Sequence, residues 1–184
     1  MSAITGVLNI PFLMKIKSFF ENVSESNEVI FDVNIPKNIL FRTELICEYV
    51  QEEHDYNFNL NNFLMLLYLD FVKTSIKTYN PEKVFQLLSK DFFETDLLIS
   101  NGSESCNIKR NNFEFSNITI SIARKDYLKG QLILDELYDI YKCKFSFSHL
   151  IEALWLDFIE CYKTGSKKRA YYSIIKLLKD CFES

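Results

Sequence analysis

The prediction of the fold begins from Phe145 to Lys163, FSFSHLIEALWLDFIECYK, because an earlier segment of the chain resembles it closely. Phe58 to Lys73 reads FNLNNFLMLLYLDFVK and aligns with Phe145 to Glu160 at an offset of 87 residues. Five of the sixteen columns are identical and six more keep an apolar residue. The identical columns include a Leu-Asp-Phe run, and a shared Asp is not expected from two unrelated apolar helices. The sequence therefore predicts an internal duplication.

Composition favours a soluble, mostly helical protein. Of the 184 residues, 48% are hydrophobic, with 17 Phe and 10 Tyr but only four Gly and three Pro, which favours long helices and few tight turns. No apolar run reaches the roughly 18 residues of a membrane span, and no secretory signal is recognised at the start. The five scattered cysteines predict reduced thiols, so we expect a cytoplasmic protein that binds no membrane. A net charge of −4 creates no general attraction to nucleic acid.

Each copy of the duplicated sequence predicts one strand followed by three helices. The first copy has a predicted strand over 28–35 and predicted helices over 37–53, 59–78 and 80–94. The second has a predicted strand over 113–122 and predicted helices over 125–141, 146–163 and 167–182. On the first helix, the predicted inward positions are Leu40, Phe41, Leu45, Ile46 and Val50.

The predicted division of the chain follows from these patterns. An N-terminal helix or arm covers 1–27, with its helix opened by Pro11 and running to about residue 22. The first repeat covers 28–95, a polar linker containing Asn-Gly-Ser covers 96–112, and the second repeat covers 113–184.

The order of strand, short turn, amphipathic helix and a second helix beginning at Ser or Asn resembles the ribbon-helix-helix (Arc/MetJ-type) family of DNA-binding proteins. The second copy carries the resemblance in ITISIARKDYLKGQLILDELYDIYKCKFSFSHLIEAL, residues 118–154. The resemblance covers about residues 28–73 and 115–160. Two copies in one chain resemble the tandem arrangement of the conjugation protein TraY.

The resemblance implies an intramolecular pseudo-dimer. One strand with its helices cannot pair its own edge, and family members therefore dimerise through a two-stranded antiparallel ribbon. Here residues 28–35 can pair with 116–123 of the same chain. The predicted fold is α+β and mostly helical, with two tandem strand-helix-helix-helix repeats around such a ribbon. A homodimer of this pseudo-dimer through the third helix of each repeat is a further possibility.

The resemblance also implies a DNA-binding regulator of transcription. In the family the ribbon enters the major groove, and its outward side chains contact base edges. The matching positions here are Ile30, Asp32, Asn34, Asn117, Thr119 and Ser121. The start of the second helix holds a phosphate through backbone amides in the family. The matching positions are Asn59, Leu60 and Asn61 in the first repeat and Ser146, Phe147 and Ser148 in the second.

Charge leaves a second interpretation open. No Lys or Arg lies on either outward strand face, and residues 28–93 contain six basic against ten acidic residues. Residues 106–184 contain thirteen basic against ten acidic residues, with clusters that could hold phosphates or be solvated: Lys109, Arg110, Lys167, Lys168 and Arg169. The alternative is a protein-binding adaptor or inhibitor on the same scaffold, including a mobile-element factor that blocks a host enzyme. A positive ribbon face would favour DNA, and an acidic or apolar one a protein.

No pattern in the chain points to catalysis. There is no phosphate-binding glycine loop, no dinucleotide fingerprint and no H-E-x-x-H, so we expect neither an enzyme nor a cofactor or metal. The repeated Asp70 and Asp157 are interpreted as structural, because they lie on separate helices. His54 and His149 are predicted to be surface or turn residues.

Overall fold

The computed structural model describes residues 27–54, 57–92, 97–100, 105–108 and 114–164, together with Ile174. The class is α+β and mostly helical, as predicted. The elements are, in order, β1 Glu28–Pro36, α1 Lys37–His54, α2 Leu60–Lys77, α3 Pro81–Leu88, β2 Leu97–Ser100, β3 Ser105–Ile108, β4 Phe115–Ala123, α4 Arg124–Tyr141 and α5 Phe147–Lys163. Among these helices none is both long and apolar enough to cross a membrane. The predicted N-terminal helix lies outside the described residues, as does all of the predicted 167–182 helix except Ile174.

Strands β1 and β4 form an antiparallel ribbon, which confirms the predicted pairing. The register places Glu28 opposite Ala123, Asp32 opposite Thr119 and Ile35 opposite Ser116. One further backbone bond closes each end of the ladder: the Lys37 amide donates to the Glu114 carbonyl at 2.8 Å, and the Arg124 amide to the Asn27 carbonyl at 3.0 Å. The ribbon thus passes directly into α1 at one end and α4 at the other.

The helix starts follow local capping chemistry. Asn59 caps α2 by accepting from the Asn62 amide, and Ser146 caps α5 by accepting from the His149 amide. Asn80 caps α3, where Pro81 occupies the first turn. These three starts were predicted, but α3 ends at Leu88 rather than near residue 94.

The helices cross between the two halves of the chain to form one core. Phe147 of α5 packs edge-on against Phe31 of β1, with ring centroids 5.0 Å apart. At the centre lie Tyr68 of α2 and Trp155 of α5, both fully buried. The inward side chains of the ribbon, Val33, Ile35, Ile120 and Ile122, belong to the same cluster. Ile174 is also buried in it.

Helix α3 covers the outer side of α5. Lys90, just beyond α3, contacts Asp157 at 3.2 Å and Glu160 at 2.6 Å. The Nε2 of His149 lies 2.7 Å from the Leu88 carbonyl, and its ring stacks on Phe145. The prediction of a surface or turn position for His149 is therefore wrong, because its half-buried ring joins α5 to the end of α3.

Two other predictions from the sequence need correction. Phe41 and Leu45 were predicted to face inward, but they are 63% and 49% exposed. The inward face of α1 is formed instead by Ile39, Thr43, Ile46, Cys47 and Val50. The segment predicted only as a polar linker contains a second antiparallel pair, in which β2 lies against β3.

Candidate macromolecular interface on the strand ribbon

The side of the ribbon that faces away from the helices is the candidate interface, and we call it the outer ribbon face. Residues alternate between the two sides of a strand, so the buried Val33 and Ile120 place their neighbours outward. The outer ribbon face consists of Glu28, Ile30, Asp32, Asn34, Phe115, Asn117, Thr119 and Ser121. All six positions predicted to contact bases lie on it: Ile30, Asp32, Asn34, Asn117 and Thr119 are exposed, and Ser121 is half-buried.

Cross-strand hydrogen bonds hold two carboxylates on this face. The Thr119 hydroxyl donates to Oδ1 of Asp32 at 2.8 Å, and the two residues are direct cross-strand partners. The Ser121 hydroxyl donates to Oε2 of Glu28 at 2.7 Å. Each hydroxyl donor is thus occupied by a carboxylate, and both negative charges are fixed on the outer surface of the ribbon.

The outer positions of β1 and β4 contain no Lys or Arg. At one end of the ribbon, Nζ of Lys37 contacts Oε2 of Glu114 at 2.8 Å. That bond and the positive charge of Lys37 lower the pKa of Glu114, which is fully exposed and so remains ionised. The charge of Lys37 is balanced locally, and the outer ribbon face has an acidic centre.

Apolar side chains share the face with the carboxylates. Ile30 is 70% exposed and lies opposite Ser121, while Phe115 is 45% exposed at the far end of β4. A solitary exposed Ile needs no explanation, but here it lies between Glu28 and Asp32 on the same strand face. The face therefore combines a large exposed aliphatic group with negative charge.

The open edge of β1 is capped from the helical layer. Oε1 of Glu152, on α5, accepts a hydrogen bond from the Asn34 backbone amide at 2.6 Å. Burial raises the pKa of Glu152, and the amide bond only partly opposes that effect. This contact blocks part of a strand edge that would otherwise be open to another chain.

The predicted phosphate contacts divide into described and undescribed positions. Asn59 and Ser146 both lie at helix starts, but each side chain is occupied by its own helix as a cap. Asn61 is exposed in the first turn of α2, and Ser148 is half-buried in that of α5. The basic candidates lie outside the described residues: Lys109, Arg110, Lys167, Lys168 and Arg169.

Three residues of this surface were missed from the sequence. Glu28 and Phe115 could have been found, since extending the two-residue alternation by one step places them on the outer ribbon face. Glu152 could not have been found in that way, because its contact with Asn34 depends on how α5 crosses β1.

The described residues contain no group of three His, Cys, Asp or Glu side chains placed to hold a metal ion. Burial, with the nearby carboxylates of Glu44 and Glu48, raises the pKa of Cys47 to about 12, so this thiol is not a nucleophile near neutral pH. The outer ribbon face presents exposed carboxylate, amide and apolar side chains. Comparison with known proteins gave no match to a family model, to a curated protein or to a solved structure.

Proposed function

We propose that this chain is a protein-binding adaptor or inhibitor whose outer ribbon face docks on a basic protein surface. The observation that carries the proposal is the composition of that face: Glu28, Asp32 and an exposed Ile30, without Lys or Arg on the outer positions of either strand. DNA presents a dense array of phosphates, and two fixed carboxylates oppose its approach. A basic protein surface is attracted by the same charges.

We further infer that the scaffold is an intramolecular pseudo-dimer formed by a duplicated sequence. The strand register supports this, because Asp32 and Thr119 lie opposite each other and are also separated by the repeat offset of 87 residues. A twofold axis through this pair would exchange the two strands. The same axis would exchange the two end bonds of the ladder, Lys37 to Glu114 and Arg124 to Asn27.

The core provides a second, independent support for the pseudo-dimer. Tyr68 donates its hydroxyl to the backbone carbonyl of Asp126. Trp155, its counterpart at the same offset, donates to Oγ1 of Thr43 at 2.7 Å, and that hydroxyl donates to the Ile39 carbonyl at 2.9 Å. Ile39 and Asp126 are also separated by 87 residues. Each half thus sends one aromatic side chain to the same position of the other half.

The partner would be recognised by an apolar anchor surrounded by charge. Ile30 projects from the ribbon beside two carboxylates, a pattern in which desolvation of the aliphatic group gives affinity and the charges select a basic partner. The Thr119 hydroxyl binds Oδ1 of Asp32, and a carboxylate accepts several hydrogen bonds, so Asp32 can also accept bonds from Lys or Arg of a partner.

DNA binding is the competing proposal, and one pair of residues on the ribbon favours it. Asn34 and Asn117 are exposed and directly opposite each other, and an Asn side chain can bond an adenine edge in the major groove. On this proposal the phosphates would be held by helix starts and by the basic clusters at 109–110 and 167–169. The two proposals differ in the sign of the effect when the carboxylates are removed.

Site-specific photo-crosslinking tests the docking surface. A photoreactive residue at position 30, in the full chain expressed in its native host, is expected to give a protein adduct that disappears when Asp32→Lys is added. The same residue at position 76 is the matched control, because Ile76 is 73% exposed on α2, away from the ribbon. Identical adducts at both positions, or an adduct unaffected by Asp32→Lys, would contradict the proposed docking surface.

A further inference from the structure

The two strands of the ribbon differ in how their open edges are protected. Strand β1 carries Glu28 and Asp32 on its outer positions and ends in Pro36. Glu152 of α5 also binds the Asn34 amide at the edge of β1. Strand β4, FSNITISIA, contains no charged residue and no Pro. Proteins normally protect an edge strand with charge, Pro or a covering group, because an open row of main-chain groups can pair with another chain. The sequence of β4 supplies no such protection.

Three amides of β4 at two-residue spacing point away from the ribbon. The Asn34 amide points away from β4, because it reaches Glu152, and bonded and non-bonded pairs alternate along an antiparallel ladder. Asn117 lies opposite Asn34, and Thr119 and Ser121 follow it at two-residue spacing, so their N–H and C=O groups also point away from the partner strand. In the described part of the chain, none of these three amides donates a hydrogen bond. We call this row of main-chain groups the β4 edge.

The two carboxylates of the outer ribbon face lie beside the β4 edge. Asp32 accepts a hydrogen bond from the Thr119 hydroxyl, and Glu28 accepts one from the Ser121 hydroxyl, so both carboxylates lean across the ribbon toward β4. A third strand would lie about 4.8 Å from β4, with its outward side chains next to Thr119 and Ser121. Lys and Arg at those positions have stems long enough to bring their charge to Asp32 or Glu28.

We propose that this chain captures an extended, basic segment of a partner protein, which pairs with β4 as a third strand of the ribbon. The proposal rests on the proposed protein-binding function, because the same carboxylates select the partner. Main-chain hydrogen bonds to the β4 edge give affinity, and Lys or Arg at alternate positions of the segment give specificity. Strand β4 has no charge of its own that would repel such a segment.

The helical layer favours an isolated segment over a second copy of this chain. Helix α2 contacts β4 on the inner side of the ribbon. Paired strands lie about 4.8 Å apart, whereas the axes of packed helices lie about 8–10 Å apart. Two copies paired through β4 would therefore bring their α2 helices closer together than helices pack. An extended segment has no helix to collide with α2.

Amide hydrogen exchange followed by NMR tests strand addition directly. The probe is a peptide of about seven residues that alternates Lys and Val, added to the full chain at up to about 1 mM. We expect the peptide to slow exchange of the Asn117 and Thr119 amides by about tenfold and to leave the Ile30 amide of β1 unchanged. The same peptide with N-methylated main-chain amides keeps its charge but cannot complete the pairing, so it should give no protection. A peptide with Glu in place of Lys should also give none.

Asn117→Pro is the matching variant of the protein. Proline removes the outward amide but no bond of the ladder, and edge strands accept proline where the N–H would face away from the sheet. The variant should weaken peptide binding about fivefold relative to Asn117→Ala, which loses the same side chain and keeps the amide. Ser121→Pro compared with Ser121→Ala repeats the test at the other end of the β4 edge. Circular dichroism would verify that the variants fold.

The outcomes separate strand addition from the proposed function on which it rests. Equal peptide binding by the Pro and Ala variants, or no protection of Asn117 and Thr119, would overturn strand addition. Protection of these amides by a higher concentration of the chain alone would indicate pairing with a second copy, and would also overturn it. If Asp32→Lys abolishes the crosslink from position 30 while the peptide protects no amide, docking on the outer ribbon face stands and only the extended segment is wrong. A crosslink that persists in Asp32→Lys contradicts the proposed function itself.

Discussion

The two halves of the core make the same cross-connection with different side chains. In one, Tyr68 of α2 reaches the Asp126 carbonyl of α4 directly. In the other, Trp155 of α5 reaches the Ile39 carbonyl of α1 through the hydroxyl of Thr43. At the offset of 87 residues, Thr43 aligns with Gly130 of α4. A hydroxyl group therefore donates to the backbone carbonyl in both cases. In one case it belongs to Thr43 of α1, and in the other to the ring of Tyr68, which comes from α2.

This difference indicates that Thr43 acts together with Trp155, and Gly130 together with Tyr68. A Cβ on Gly130 would lie 2.7 Å from the Tyr68 hydroxyl and 2.6 Å from Cε2 of Phe147. Glycine at this position is required by a close approach of aromatic side chains, not by a special backbone angle. Changing one residue of either pair should lower the free energy of unfolding. The size of each loss shows how much that residue contributes to its pair.

Gly130→Ala is expected to have the largest effect. Alanine normally stabilises a helix interior relative to glycine by about 1 kcal/mol, so any destabilisation reports the clash with the two rings. Both contacting atoms belong to buried aromatic side chains with little freedom to move, so after the helix gain is subtracted we expect a net loss of about 3 kcal/mol, at the upper end of the usual cost of overpacking. Urea unfolding followed by circular dichroism measures the change. Unchanged or increased stability would contradict the close approach.

Trp155→Phe is expected to have the second-largest effect. The free energy of unfolding should fall by about 2 kcal/mol, because the ring is smaller and one hydrogen bond is missing. Thr43 would keep its own bond to the Ile39 carbonyl, so no buried donor is left without a partner. Adding Thr43→Val to this variant should cost less than adding it to the natural chain, because the two residues share one bond. Strict additivity in this double-mutant cycle would contradict the proposed unit.

Tyr68→Phe should cost less, about 1 kcal/mol, because it removes one hydrogen bond and leaves the ring in place. The Asp126 carbonyl lies in the first turn of α4 and can still accept from the helix amide four residues later. The variant should also relieve part of the clash in Gly130→Ala, so the double variant should be more stable than the sum of the two single losses predicts. Thermal unfolding of the four proteins provides the cycle.

The smallest effect on stability is expected at the edge of β1. The residue there is Glu152 of α5, which aligns with Met65 of α2 at the offset of 87 residues. Burial raises the pKa of Glu152, so the folded state favours its neutral form. The resulting stabilisation is present below the ordinary carboxyl pKa and is lost as the pH rises through the raised value. Glu152→Gln keeps an acceptor for the Asn34 amide and should flatten this decline. Unfolding midpoints of both proteins between about pH 4 and pH 8 compare the slopes. Parallel profiles of stability against pH for the two proteins would contradict the raised pKa of Glu152.

Much of the fold could be predicted because its signals are local. Two-residue alternation predicted β1 and β4, the family resemblance predicted their pairing, and polar residues before apolar runs predicted helix starts near Asn59, Asn80 and Ser146. The inward face of α1 could not be predicted in the same way. Apolar residues surround most of that helix, and Phe41 differs from Ile39 only in what packs against it. The antiparallel pair of β2 and β3 was missed because its strands have four residues each.

The candidate site was only partly predictable for a similar reason. The side of the ribbon on which Asp32, Asn34, Asn117 and Thr119 lie follows from periodicity, and the structure confirms it. The bonds that fix Asp32 and Glu28 depend on which residue stands opposite, and therefore on the register. The role of Gly130 depends on two side chains distant in sequence, and no local pattern encodes it.

The measurement that most directly tests the protein-binding role of the outer ribbon face is fluorescence anisotropy of random duplex DNA with the full chain across a salt series. A Glu28→Gln/Asp32→Asn variant serves as the comparison. We predict no binding by the natural chain at about 50 mM salt, because the acidic ribbon repels phosphate. Micromolar or tighter binding that weakens steeply with salt would contradict that role and support DNA recognition by the ribbon.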